Sequence, residues 1–229
     1  MTRIIILICL LTFCGKSFSQ KDYKTVRITY GKYLKSLQDK TDSKPRQLKD
    51  LYYILLSNKY EARCEFDKVL DIDGFSNERF INKGGGKGVH YRNLKTKERL
   101  HQKELGGKSF VISENVDKYD WEITDEKKII SGYTCYKAHV TYEFYVESMG
   151  KHFSNTITVW FTPDIPLKFG PMGFDGVPGL VLEAQTGGYY YIANKIEFLE
   201  KEVKIKRPSK GTAVTAEKYD EIYKSTIKS

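Results

Sequence analysis

The side chains of this 229-residue sequence that could do chemistry are its four histidines, its cysteines and a scatter of acids in turn-like segments. His90, His101, His139 and His152 show no tight metal-ligand spacing, and none adjoins a serine or cysteine in a nucleophile motif. There is no G-x-S-x-G elbow and no H-E-x-x-H helix. Cys135 and His139 share a strand face by parity, but four extended residues separate them by about 13 Å. A Cys–His pair must therefore draw its histidine from another segment. Asp71 with Asp73, and Asp164 with Asp175, are acid pairs suited to acid–base or calcium chemistry, although acids in loops are usually just solvated. Gly84-Gly85-Gly86 would cradle a phosphate only ahead of a helix. Val89-His90-Tyr91 follows instead and is strand-like, so the cluster reads as a turn. No metal and no cofactor is expected, and catalysis is the lesser reading.

The chain reads as made for export. Arg3 supplies a positive start, Ile4 to Phe13 a short apolar run, and Ser17-Phe18-Ser19 a small-residue cleavage site, so residues 1–19 are expected to leave as a signal peptide. Residues 20–229 then form one domain with no membrane span. Cys14 follows Phe13 rather than a small residue, which argues against lipidation. Losing Arg3 and Lys16 takes the formal charge from +9 to +7. Basic residues are interleaved with acids, as in KTKERLHQKE (95–104), which reads as solvated surface and not as a nucleic-acid footprint. The denser run KEVKIKRPSK (201–210) reads as a solvated strand or linker. Two cysteines remain, Cys64 and Cys135. In an oxidising compartment they can pair, but parity opposes it, because Cys135 faces away from Tyr136, Ala138 and Val140.

The elements that must position these groups are strands. Val26, Ile28 and Tyr30 alternate with polar residues. LYYILL (51–56), a turn at 57–59, and the alternating Tyr60, Ala62, Cys64 and Phe66 predict a hairpin. Further strands are predicted at 88–94, 110–114, 119–124, 129–147 (after a charged turn at 125–128), 156–162, 179–184 and 189–198, with Gly187-Gly188 as a tight turn. Thr215 is a candidate N-cap for a C-terminal helix over 216–228. The fold class is mainly β: a curved antiparallel sheet or half-barrel with a short C-terminal helix.

WFTPDIPLKFGPMGFDGVPGLVLEAQTGG (160–188), together with WEITDEKKIISGYTCYKA (121–138), resembles the GLPGLI family of secreted proteins, found mainly in Bacteroidetes. Trp121, Gly132, Tyr133, Cys135, Trp160, Pro166, Gly170, Pro171, Gly176, Pro178 and Gly179 carry the resemblance, with the naming motif present as GVPGLVLE (176–183). It covers roughly residues 91–198. It implies an exported, β-rich envelope protein of the periplasm, outer membrane or exterior, and implies no activity. The strand order is also similar to lipoprotein carriers, in which a curved sheet wraps one or more helices. Read physically, the prolines of 163–179 interrupt any strand and the glycines permit tight turns. Phe169, Met172 and Phe174 either pack this loop down as a structural corner, the preferred reading, or form a ligand lip. Three functions stay open. The first is a non-catalytic binding or chaperone-like module, whose apolar groove takes an apolar or peptide ligand or an outer-membrane protein. The second is a secreted hydrolase. The third is a structural or interaction module of an envelope complex, which requires a filled interior and an exposed apolar patch.

Overall fold

The computed structural model describes residues 23–34, 46–67, 88–146 and 149–227. The expected signal peptide and the segment with Asp71, Asp73 and Gly84–Gly86 lie outside the described residues. Among the described residues, the strands are β1 (Thr25–Leu34), β2 (Arg46–Ser57), β3 (Glu61–Asp67), β4 (Val89–Asn93), β5 (Glu98–Leu105), β6 (Lys108–Ser113), β7 (Glu122–Ile130), β8 (Tyr133–Val146), β9 (Lys151–Thr162), β10 (Leu180–Thr186), β11 (Tyr189–Leu199) and β12 (Thr212–Thr215). One helix follows, α1 (Ala216–Ile227). The strands form a single open, curved sheet in the order β12-β6-β5-β4-β3-β2-β1-β11-β10-β9-β8-β7. Neighbours are antiparallel, save the short parallel pair of β12 with β6.

Local chemistry explains the hairpins. Ser131-Gly132 and Gly187-Gly188 have positive φ at both turn residues, the geometry that two-residue hairpins require. At the β2–β3 turn, Asn58 Oδ1 accepts hydrogen bonds from the Tyr60 and Glu61 amides, both at 2.8 Å. Alternation then sets the core. Ile28 lies opposite Leu55, Leu55 opposite Cys64, and Tyr30 opposite Tyr53, all buried.

Three elements differ from the sequence reading. KTKERLHQKE is a turn leading into β5, whose strand is buried on both faces at Arg99, Leu100 and His101. Its charges hid that strand because one of them, Arg99, is used inside the protein. The expected turn at 125–128 lies within β7, where a register shift between Ile123 and Lys127 absorbs extra residues, and the expected strand 129–147 is instead broken by the turn at Ser131-Gly132. A bulged, charged strand at a sheet edge resists pairing with other chains. The helix does not fill the middle of the sheet as in a lipoprotein carrier. It packs at the β6–β12 edge, where the Phe110 and Tyr219 rings are 5.5 Å apart. Thr215 Oγ1 accepts from the Lys218 amide at 3.2 Å, the predicted cap. What lies on the middle is the connection 163–179, because it carries the bulky apolar side chains.

The sheet is thus covered unevenly. Residues 163–179 pack on Tyr30, Tyr53, Leu55 and Cys64. The extended stretch 200–211 crosses β3–β6, where Ile205 joins Tyr91, Leu100 and Val111.

Candidate functional site

The segment richest in predicted site residues is the connection from β9 to β10. It is an ordered loop whose backbone bonds to itself and to β10. The Leu180 amide donates to Ile165 O at 3.0 Å, Val181 to Phe169 O at 3.0 Å, and Phe174 to Pro171 O at 3.0 Å. Pro171 opens a short 3-10 turn, Pro171–Gly173. Phe169, Met172 and Phe174 are all buried, so none of them forms an open rim. Pro166 and Pro178 are exposed and punctuate the loop. Gly170 and Gly179 are required by close approach: an added Cβ would sit 2.2 Å from Phe174 O and 2.2 Å from Thr162 O respectively. Gly176 needs its left-handed φ of +99° instead, and packs by Trp121. Trp121 Nε1 donates to Asp175 O at 2.8 Å. On the neighbouring strands, Lys128 lies over the Trp160 ring at 4.3 Å and pairs with Glu183 at 2.7 Å. Gly132 makes the β7–β8 turn that Tyr133 and Cys135 follow.

Beneath this loop the sheet face changes from apolar to ionic along its own rows. One row runs Ile28, Leu55, Cys64, His90, His101 and Ile112; the next places Ala62 opposite Arg92 and Arg92 opposite Arg99. Asp175 reaches down from the loop onto both arginines. It takes a hydrogen bond from Arg99 Nη2 and lies 3.9 Å from Arg92 Nε, while Arg99 Nη1 donates to Gly173 O at 2.9 Å. Burial pushes the Asp175 carboxyl up to about 6, against the opposing pull of Arg99 and Arg92. His90 and His101 stack at 4.0 Å, and His101 Nδ1 lies 4.0 Å from Glu114, which also pairs with Lys118 at 2.9 Å. The sequence signal for this cluster was the parity of Arg92 and Arg99 about a turn. The partner, Asp175, lies 76 residues beyond Arg99.

Chemically this arrangement is a clamp. The cavity within it is about 10 Å³, room for a single water, so among the described residues this part of the sheet is filled by the protein's own loop and leaves no apolar groove there. Cys64 does face a histidine from another strand, His90. Burial, however, pushes its thiol up to about 12, away from the reactive thiolate. Cys135 is likewise pushed up, to about 11. The expected disulfide is absent: both cysteines are buried free thiols, and they stand on β3 and β8, far apart in the strand order. His139 instead pairs with Glu122 at 3.3 Å, and His152 lies by Tyr145. Asp164 is exposed while Asp175 is buried, so that acid pair does not act together. Among the described residues, no three of His, Cys, Asp and Glu converge as a metal site would need. Sequence reasoning also missed Lys32. It is fully buried beside the Tyr53, Tyr189 and Tyr191 rings, and burial brings its ammonium down to about 8.

A second region contrasts with the clamp. On β8 and β9, Tyr136 lies opposite Phe161, Ala138 opposite Val159, Val140 opposite Ile157, Tyr142 opposite Asn155 and Phe144 opposite Phe153, so one mostly apolar face, interrupted at Asn155, runs toward the hairpin end. Ala138 and Val159 are fully buried, but Phe144 is 48% and Phe153 39% exposed. Tyr142 and Met149 are exposed nearby. Large aromatics in the open, continuous with a core face, mark an interaction surface better than isolated ones do.

Comparison with solved structures finds two crystal forms of PNGF-II. The C2 form matches with a TM-score of 0.54 and 22% identity over 88% of this chain and 33% of that one. The P21 form gives 0.53 and 21% over 89% and 34%. At that identity the likeness shows the fold alone, and this chain spans about a third of the length of those structures. No curated protein matches the sequence. The profile of the N-glycanase peptide, N-terminal domain, matches residues 89–223, a span that runs from β4 into α1 and includes the clamp, the GVPGLVLE loop and the β8–β9 hairpin. With more than half of its length matched, the chain belongs to this family of N-glycanase N-terminal domains.

Proposed function

We propose that this chain is a non-catalytic interaction module of an exported protein, and that it docks through the β8–β9 hairpin onto a hydrolase domain of the N-glycanase kind, on this polypeptide or another. The observation that carries this reading is a filled interior next to a bare apolar face: Phe169, Met172 and Phe174 occupy the middle of the sheet, while Phe144 and Phe153 stand exposed. Buried thiols held protonated favour a non-catalytic role. The choice of partner rests on the family, which is described as one domain of an N-glycanase, and on the threefold greater length of the PNGF-II structures. Export rests on the signal-peptide pattern of residues 1–19 and accords with the resemblance to secreted GLPGLI proteins. No helix among the described residues is long and apolar enough to cross a membrane.

The test is a photo-crosslinking side chain placed at Phe144, at Phe153 and, as control, at the exposed Lys201 of the protein in its own cells. Crosslinks from the two hairpin positions to a hydrolase domain, and none from the control, are expected. Silence at Phe144 and Phe153, or equal capture from Lys201, overturns the docking reading.

A further inference from the structure

Away from both the clamp and the hairpin, two adjoining depressions of about 920 and 470 Å³ share Asn58, Glu61 and Glu202 in their walls and form one trough. The larger is lined by Tyr23 and Lys24 beside β1, Lys59 and Tyr60 in the β2–β3 turn, Lys95 in the β4–β5 turn, and Pro166 with Leu167 from the loop. Lys204 lines the smaller. We propose that this trough binds an acidic oligosaccharide, whose carboxylates meet the lysines and whose sugar rings lie on the Tyr23 and Pro166 surface.

Charge sets the sign of the ligand. Lys24, Lys59, Lys95 and Lys204 face two carboxylates, and one of these, Glu61, is turned to internal use: it accepts from Asn93 Nδ2 at 2.6 Å and Tyr91 OH at 3.3 Å. A trough with unequal charge draws a ligand carrying several anionic groups. Preorganisation comes from the two turns. Asn58 Oδ1 ties the first; Asn93 Oδ1 ties the second through the Lys95 and Thr96 amides at 2.9 and 3.0 Å; and the Leu94 amide joins them by donating to Tyr60 O at 2.8 Å. Lys95 Nζ lies 3.8 Å from the Tyr60 ring centroid, which holds that ammonium at the wall and lowers the ordering cost of binding. The lining also mixes lysine and glutamate with the rings of Tyr23, Tyr60 and Pro166. A pyranose presents one apolar face and a rim of hydroxyls and suits such a lining; a purely apolar ligand does not.

Hexagalacturonate, maltohexaose and hexaglutamate, titrated calorimetrically into the full protein at low salt, separate the cases. Hexagalacturonate is expected to bind with a Kd on the order of 0.1 mM, and more weakly at high salt. Lys59→Ala with Lys95→Ala should weaken it about tenfold or more, since each lost contact near 1 kcal/mol is several-fold. Phe144→Ser should leave it unchanged, so failure here is separable from failure of the docking surface. Lys24→Ala offers a second variant if the double one melts early. No binding at 1 mM, or wild-type binding by the lysine variants, overturns the proposal. Equal affinity for hexaglutamate would make the trough a peptide site, and equal affinity for maltohexaose would remove the role of charge; either result also overturns it.

Discussion

The same sheet has a covered region and a bare one, and the difference lies in what the chain supplies to each. Over β1–β5 the connection 163–179 brings its own apolar side chains and one carboxylate, so the strands beneath are sealed by Phe169, Met172, Phe174 and the Asp175 clamp. At the far end of β8–β9 the strands have the same alternating pattern, but Phe144 and Phe153 stay open. Apolar alternation by itself therefore does not tell core from contact surface. The covering segment decides, and it is distant in sequence.

The largest effect that would break this contrast is expected at Asp175. Asp175→Ala leaves Arg99 and Arg92 buried without their carboxylate and should cost about 3–5 kcal/mol, as loss of one partner of a buried pair does. Asp175→Asn, which keeps an acceptor, should cost less; urea denaturation compares the two. A Phe169→Ala substitution empties a fully buried ring site and should cost about 3–5 kcal/mol in the same assay. Phe144→Ala should change stability by less than about 1 kcal/mol, the scale of one cross-strand aromatic pair. If the two phenylalanine variants cost the same, the covered and bare regions are not distinct.

Smaller effects sharpen the picture. Gly179→Val should cost roughly 1–3 kcal/mol by overpacking, through the clash with Thr162 O. The clamp should also show in pH dependence. The Asp175 carboxyl is raised from about 3.8 to about 6 in the folded protein. Its contribution is therefore fully present below about pH 4 and is lost as pH rises through 6. Between those values the wild type should lose stability relative to Asp175→Asn; parallel curves would refute the shift. Finally, thiol titration should find Cys64 and Cys135 unreactive when folded and both reactive in denaturant. A single intact disulfide in the exported protein would contradict the buried free thiols.

How far the sequence reached can be argued from particular segments. Where a strand had one wet face, as in Tyr60–Phe66 or Tyr136–Phe144, period-two alternation was legible, because side chains alternate strictly along a strand. Where polar side chains were drawn inside, as at Arg99 and His101, the same alternation was hidden, because polarity no longer reported exposure. The bulge in β7 and the parallel β12 were invisible for a related reason: both depend on register against another strand.

The sequence by itself determined the mainly β fold, the tight turn at Gly187-Gly188, the Thr215 cap, and an ordered Pro/Gly loop with bulky apolar residues, all of which follow from local backbone preference and side-chain period. Only the tertiary structure decided that Asp175 meets Arg99 and Arg92, that the two cysteines stay apart, that the sheet's middle is filled by a loop and not by the helix, and that Phe144 and Phe153 stay bare. Each of those is a contact, or the lack of one, between residues far apart along the chain, and the free energy that selects it exists only once the strands have set their order.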